Sequence, residues 1–489
     1  MLRRMAGDSI FYVLAMLLTR GISFLVIPLY THNLNPEEYG IVGFASTVTT
    51  VLAMLITLGL DAALVRFYGD MDTKAYRSFV STLWIWLTLF PLAFVATMEW
   101  WGPLVLRPPV VNVPWNPYLR LAAWNAYLSV APLVPLSLLR AEGKAQWYGA
   151  LSVGSFLTTT GFLIYFVAVR KAGALGNLQG QLLAGIVIAV VSHGLVLPWL
   201  TALRDTGFVW AHFRTACRLC IPYLPHAMCM WALNFADRWI LQKTSLAELG
   251  TYSLAYTLGM LVHLFGLGVM SAYAPVYFQR AGDVGFRTSL PRLLSVSIGL
   301  YTWVAVSVSV LAPEMLALLA PRAWGATAHL VPWIAAGYWC FVAIYQFCLT
   351  VLEHHKRTEW TILLTGAPAV ANIALNWVLV PRLGALAAAI NTLVAFGLMA
   401  LLSLLVSRRL DPVPFPWLKV AAVVTLGVLT GAAGLTWLTL PQAIPALLLK
   451  AALLVGMGIA FVRVIGFTLS ELVAFVTAIL ANRKVPADP

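Results

Sequence analysis

The sequence predicts an all-α integral membrane protein with about 14 transmembrane helices: two pseudo-symmetric six-helix lobes plus two C-terminal helices. Three observations carry that fold class. Of 489 residues, 61% are hydrophobic and only 10% charged, against about 25% charged in an ordinary soluble domain. Apolar runs of about 20 residues recur along the chain, each long enough to cross roughly 30 Å of hydrocarbon. Three short segments return about 210 residues later. A soluble fold of this size could not cover its surface with so few charges, and a disordered chain would be polar. The 35 Gly and 27 Pro show no fibrous period. A β-barrel would alternate every second residue.

The spans are read at about 9–31, 41–65, 78–99, 118–139, 146–169, 178–200, 219–242, 250–274, 290–312, 329–351, 358–380, 384–406, 416–439 and 446–466. An amphipathic tail follows at about 468–483. The first run is too long for a cleavable signal and leads straight into another helix. The gaps are short. The longest on the sparsely charged side, 100–117, is stiffened by Pro and anchored by Trp, and no gap has room for a soluble domain. The 19 Trp fall mostly near span ends, as an interfacial belt requires.

The net charge of +13 sits chiefly in alternate gaps. One side holds 20 Lys and Arg, from Arg3 through Lys356 to Lys484, and the other holds 6. The positive-inside bias therefore puts both termini in the cytoplasm. Nucleic acid is not expected as a partner, because no basic patch forms a footprint. The five Cys give no disulfide framework. Cys217 and Cys220, flanked by His212 and His226, read as packing at a helix start rather than as a zinc site. No Walker A, metal-ligand cluster or G-x-S-x-G motif is present, so no cofactor, no metal and no enzymatic activity are expected.

The repeats are ordered. Asn33–Gly40 (NLNPEEYG) precedes Lys243–Gly250 (KTSLAELG) by 210 residues, and Gly173-Ala174-Leu175 precedes Gly384-Ala385-Leu386 by 211. Arg140–Trp147 precedes His354–Trp360 by about 213. Two six-helix halves of the same orientation follow, at 1–205 and 206–410, with 411–489 as two further helices and the tail. Parallel repeats of this kind are a transporter's plan.

Ionisable groups inside spans are rare and mark cavities or pathways. Arg20 lies mid-span, too deep to snorkel easily. Asp61 is either a local partner of Arg66 or a cavity carboxylate that meets Arg20 or loads a proton. Asp237 and Arg238 are neighbours about 100° apart, so they are not expected to share a helix face. Arg238 can snorkel outward, while Asp237 is expected to turn inward. His193, His226 and His263 read as core or interhelical groups. Asn372 and Asn376 share a face at i,i+4, either for interhelical bonding or for sugar contact. Pro28, Pro222, Pro225, Pro275 and Pro368 are expected to kink spans.

Arg20, Pro28, Leu34, Pro36-Glu37-Glu38-Tyr39-Gly40, Gly59-Leu60-Asp61 and Arg66-Phe67 resemble the opening pattern of the polysaccharide (O-antigen and exopolysaccharide) flippase family, within the multidrug/oligosaccharidyl-lipid/polysaccharide exporter superfamily. Asp237-Arg238, Glu248-x-Gly250-x-Tyr252, Ala255-Tyr256 and Pro275 continue the resemblance. So do Asn372, Leu375, Asn376, Val380, Pro381, Gly384 and Ala387-Ala388-Ala389. It covers about 1–410. One departure is Tyr165, which stands in the first half where Asn376 stands in the second.

The resemblance implies a two-lobed bundle that moves undecaprenyl-diphosphate-linked oligosaccharide across the bacterial inner membrane by alternating access. Membrane lipids surround it, and polysaccharide polymerase and export proteins are its implied partners. On this reading Arg20, Arg238, Asn372 and Asn376 meet the substrate, while Asp61 and Asp237 couple transport to a proton or Na⁺. The rival readings are a small-molecule or drug antiporter and a peptidoglycan-precursor flippase of the same superfamily. A membrane glycosyltransferase, polymerase or ligase is disfavoured by the lack of a large outer loop.

Overall fold

The computed structural model describes residues 24, 26–106, 110–202, 207–436 and 443–466. Its regular elements are all helical. In chain order they are α1 (Ile27–Asn33), α2 (Pro36–Thr57), α3 (Asp61–Arg66), α4 (Thr73–Leu106), α5 (Arg120–Val130), α6 (Leu133–Ala141), α7 (Ala145–Leu163) and α8 (Gly173–Val196). There follow α9 (Trp210–Cys220), α10 (Leu224–Thr244), α11 (Leu246–Gly259), α12 (Leu261–Arg280), α13 (Val284–Val310), α14 (Ala312–Leu319), α15 (Val331–Cys340), α16 (Gln346–His354), α17 (Trp360–Leu410), α18 (Trp417–Thr436) and α19 (Ala443–Ile465). Short 3₁₀ and π turns join several of these into longer rods.

Among the described residues, 11 helical stretches are long and apolar enough to cross a membrane. They cover 12 of the expected spans, because the 51-residue α17 holds two. Gly384 (φ 62°, ψ −144°) breaks it between them. The span expected at 219–242 corresponds to α10, entered through a 3₁₀ turn at Ile221–Tyr223. Most of the first span, Arg20 with it, and the 468–483 tail lie outside the described residues.

Two expectations about local structure are corrected. The second span does not run to 65. It stops at Thr57, where Leu58 turns left-handed (φ 52°) and Gly59 follows at φ 66°. A separate short helix, α3, then opens on Asp61. Of the prolines expected to kink spans, Pro28, Pro222 and Pro225 instead sit at helix starts, where the missing N–H has no partner to lose. Pro275 and Pro368 do lie inside helices.

The chain divides into two compact units, Met1–Gly250 and Thr251–Pro489. In the first, α2 buries Phe44, Ala45, Val48, Leu52 and Ile56. Small residues Ala122, Ala123 and Ala126 on α5 let that helix approach closely, as helix packing in lipid favours. Thr49 Oγ1 donates to the Ala122 carbonyl at 3.0 Å. In the second unit, α13, α15 and α17 bury Tyr301, Ile334, Tyr338, Phe396 and the Ala387–Ala389 run. The last two helices dock through Val423, Leu454, Met457, Phe461 and Ile465. Lys450 is 4% exposed there and donates to Glu314 at 2.6 Å and to the Val310 carbonyl at 3.2 Å. That arrangement neutralises a charge that could not otherwise sit in hydrocarbon.

The three sequence repeats recur as backbone geometry. Asn35 caps α2: its Oδ1 accepts from the Glu38 N–H at 2.8 Å, while its own N–H donates to Glu38 Oε2 at 3.1 Å. At the matching place before α11, Ser245 Oγ accepts from the Glu248 N–H at 3.2 Å. Gly173 and Gly384 both enter their spans at positive φ, 60° and 62°. Gly143 (φ 69°) corresponds to Lys356 (φ 57°), so the second half holds a non-glycine residue in the same left-handed turn.

Candidate functional site

Asp237 and Arg238 lie in α10, 1% and 6% exposed. Arg238 does not snorkel outward, and the two residues do meet. Helical side chains lean toward the helix N-terminus, and the long arginine stem folds back that way. Its Nη1 donates to the Asn234 carbonyl at 2.6 Å and to Asp237 Oδ1 at 3.3 Å. The guanidinium lies 5.0 Å over the Phe235 ring. Asp237 Oδ1 also accepts from the Arg238 backbone N–H at 2.8 Å. One helix therefore carries a buried cation together with its own counter-ion. Such a pair is tolerable in low dielectric only while both members are present.

Asp61 heads α3, between the candidate spans 36–57 and 73–106. The pair with Arg66, one of the two readings open for Asp61, does not form. Arg66 turns to Asp70, four residues on, at 2.5 Å, and both side chains are more than half exposed. The i,i+4 spacing places these two on one face, whereas Asp61 is five residues back. Burial pushes the Asp61 carboxyl above the usual carboxylate range, and the positive charge of Arg140 partly opposes this.

Asn372 and Asn376 face inward in the first half of α17. Asn376 Nδ2 donates to Asn372 Oδ1 at 3.0 Å, and Asn391 Nδ2 donates to Asn376 Oδ1 at 2.9 Å. Asn372 Nδ2 donates to the Asn391 carbonyl at 3.3 Å. The three amides are each at most 1% exposed and close a ring across the Gly384 break. Asn391 was not singled out from sequence. It follows the Ala387–Ala389 run, whose small side chains let the two segments approach, and that run was its available signal.

Of the histidines, His193 Nδ1 accepts from Trp84 Nε1 at 3.1 Å, joining α8 to α4. His263 stacks on Tyr338 with ring centroids 5.7 Å apart, and His226 lies 5.0 Å from Tyr223. Gln242, also missed from sequence, is fully buried at the end of α10. Its Oε1 accepts from the backbone N–H groups of Val111 and Asn112 at 3.1 and 3.4 Å. Its backbone carbonyl accepts from Asn112 Nδ2 at 2.7 Å.

The profile of the family described as "Polysaccharide biosynthesis protein" matches residues 6–280, more than half of the chain. The chain belongs to this family. A second profile, MatE, matches residues 222–378. An uncharacterized membrane protein of Haemophilus influenzae is 20% identical over 369 residues, which are 72% of this chain and 84% of that protein. Among solved structures, "Lipid II flippase MurJ, inward closed conformation" superposes with a TM-score of 0.74 at 15% identity, covering 92% of this chain and 97% of that one. An inward-facing multidrug resistance MATE family transporter of the MOP superfamily gives 0.64 at 16% identity, covering 82% and 94%.

This polysaccharide biosynthesis family member is thus a multi-pass membrane protein with the all-α fold of that transporter superfamily. The 6–280 match contains the Asp61 and Asp237–Arg238 positions. The asparagine ring lies beyond it, and Asn372 and Asn376 fall inside the MatE match.

Proposed function

We propose that this protein moves an undecaprenyl-diphosphate-linked oligosaccharide from the inner to the outer leaflet of the bacterial inner membrane, by alternating access. The observation that carries the reading is the combination of the polysaccharide biosynthesis profile over 6–280 with a buried arginine inside that stretch. A diphosphate crossing low dielectric needs a cation to meet it. Arg238 is that cation, held until then by Asp237, with Arg20 a second one. Release of Arg238 frees the Asp237 carboxylate to take a proton or Na⁺, which supplies an energy input without nucleotide hydrolysis. Both termini face the cytoplasm, and the polymerase and export machinery of the polysaccharide are the functional partners. Asn372 and Asn376 are read as structural supports rather than sugar contacts, because their amides are engaged with each other and with Asn391.

The test is deletion of the gene, followed by mass spectrometry of the extracted lipids. Accumulation of a lipid-linked oligosaccharide with loss of its surface polymer supports the reading. Unchanged lipid-linked glycans with altered toxin sensitivity point to a drug antiporter. The 0.74 superposition on the lipid II flippase favours a second reading, a peptidoglycan-precursor carrier. Essentiality of the gene and accumulation of a lipid-linked peptidoglycan precursor on depletion would select it.

A further inference from the structure

The 100–117 stretch, the longest gap on the sparsely charged side, joins the end of α4 to the start of α5. Both helix ends lie in the first unit, and polar and aromatic groups gather where they meet. Glu99 Oε1 accepts from Arg120 Nε at 2.9 Å and from Trp124 Nε1 at 2.8 Å. Arg120 and Trp124 are i,i+4 on α5, so they reach the carboxylate from one face. The Arg120 side chain is 51% exposed and that of Glu99 26%. Among the described residues, Glu99 Oε2 and the two Nη groups of Arg120 have no protein partner. Three residues on from Glu99, on the same side of α4, Gly102 seats the ring of Trp115: a Cβ there would land on the indole. Trp115 and Trp124 are both half-buried. An open carboxylate oxygen, an open guanidinium edge and two partly open indoles therefore share one end of the unit.

We propose that this cluster is a carbohydrate-binding site, which holds a sugar ring of the transported glycan at the outer side of the membrane. The inference rests on the transport reading and on the orientation given by the charge bias. Two plainer roles account poorly for the geometry. As a fastener the cluster is weak, because an ion pair this exposed adds little stability. As an interfacial anchor Trp124 would turn its N–H toward headgroups or water, whereas it gives that N–H to Glu99. A sugar ring fits both halves of the cluster. Its hydroxyls donate and accept, while its C–H faces are apolar. Glu99 Oε2 can accept from one hydroxyl while Arg120 donates to the next, and both bonds are charge-assisted. The indole faces of Trp115 and Trp124 can cover the apolar side of the ring. The parts are also set in advance. Arg120 and Trp124 fix the carboxylate, and the bare backbone of Gly102 seats Trp115, so little freedom is left to lose on binding.

The test is binding of the purified full-length protein to an array of immobilised bacterial surface oligosaccharides, compared with variants of matched melting temperature. The native protein is expected to bind at least one oligosaccharide on the array. Glu99→Gln removes the charged acceptor and Trp115→Ala removes a platform, and each is expected to weaken that binding about tenfold, as loss of a charge-assisted bond or a stacked ring implies. Trp115→Phe keeps an aromatic face and is expected to retain most of the signal, which a merely structural role for the indole would not require. If Trp115→Ala fails to accumulate, Glu99→Gln and Arg120→Lys decide, since Arg120→Lys keeps the charge but loses the second donor edge and is expected to weaken binding severalfold. No binding by the native protein to any oligosaccharide, or equal binding by the native, Glu99→Gln and Arg120→Lys proteins, overturns the proposal. The array needs no knowledge of the cargo. Failure of the transport reading would show separately, as a deletion strain that accumulates no lipid-linked oligosaccharide.

Discussion

The buried polar groups of α10 and α17 solve the same problem in opposite ways. In α17 three neutral amides close a ring across a helix break through three hydrogen bonds made to one another and to the Asn391 carbonyl. In α10 a cation and an anion sit on consecutive residues of one helix, balanced by each other. A closed neutral ring has nothing to gain by opening and acts as a fastener. An ion pair within one helix can exchange partners when another anion or cation arrives. On the transport reading proposed above, burial alone does not separate structural from functional polar groups; charge and the possibility of re-pairing do.

Breaking the α10 pair carries the largest expected effect. Asp237→Ala removes the carboxylate beside the buried Arg238, a loss of about 3–5 kcal/mol for a broken buried pair, so protein abundance on immunoblots should fall sharply. Asp237→Asn keeps an acceptor for Arg238 and should retain more protein but no transport. The double variant Asp237→Leu/Arg238→Met removes both charges. It should recover abundance without recovering transport. Recovery of transport in that double variant would reduce the pair to a fastener like the ring in α17.

The ring should respond differently. Asn391→Leu leaves the buried Asn376 Oδ1 without its donor, at about 1–3 kcal/mol for a buried group left unmade. Abundance and thermal stability should drop, while transport per molecule stays near normal. A variant with full abundance but lost transport would move the ring from support to substrate contact.

Asp61 offers a smaller, pH-dependent effect. Its carboxyl is raised by burial, so the folded state holds the proton more tightly than the unfolded chain does. Stability therefore falls as pH rises from the unfolded value, about 3.9, through the raised folded value, and stays lower above it. Asp61→Asn should remove that slope in thermal unfolding measured between pH 4 and 7. An identical slope in the variant would assign the pH dependence to another group.

The smallest effect sharpens the repeat itself. Lys356 sits at φ 57° where Gly143 sits at φ 69°. Lys356→Gly should stabilise by about 0.5 kcal/mol and Gly143→Ala should destabilise by about 1 kcal/mol, because only glycine adopts this conformation without strain. A small rise in melting temperature for Lys356→Gly and a larger fall for Gly143→Ala would check both.

Much of this fold was legible because lipid imposes one strong rule, long apolar helices, and the repeat segments carry capping and turn residues that recur as geometry. What escaped was local. The Leu58–Gly59 turn splits the second span within an apolar stretch, where hydropathy continues unbroken through a left-handed bend. The Asp237–Arg238 contact escaped because helical spacing alone ignores how far an arginine can fold back. Asn391 and Gln242 were missed because single amides carry no periodic signal, and their bonds to Asn376 and to the Val111–Asn112 backbone span 15 residues or more.

The most direct test of the central claim is translocation by the purified protein in proteoliposomes loaded on one leaflet with the lipid-linked oligosaccharide recovered from the deletion strain. The account predicts that the glycan becomes accessible to an added glycosidase on the other side with the native protein and not with the Asp237→Leu/Arg238→Met variant. No movement by the native protein under an imposed proton or Na⁺ gradient, or equal movement by both proteins, would contradict it.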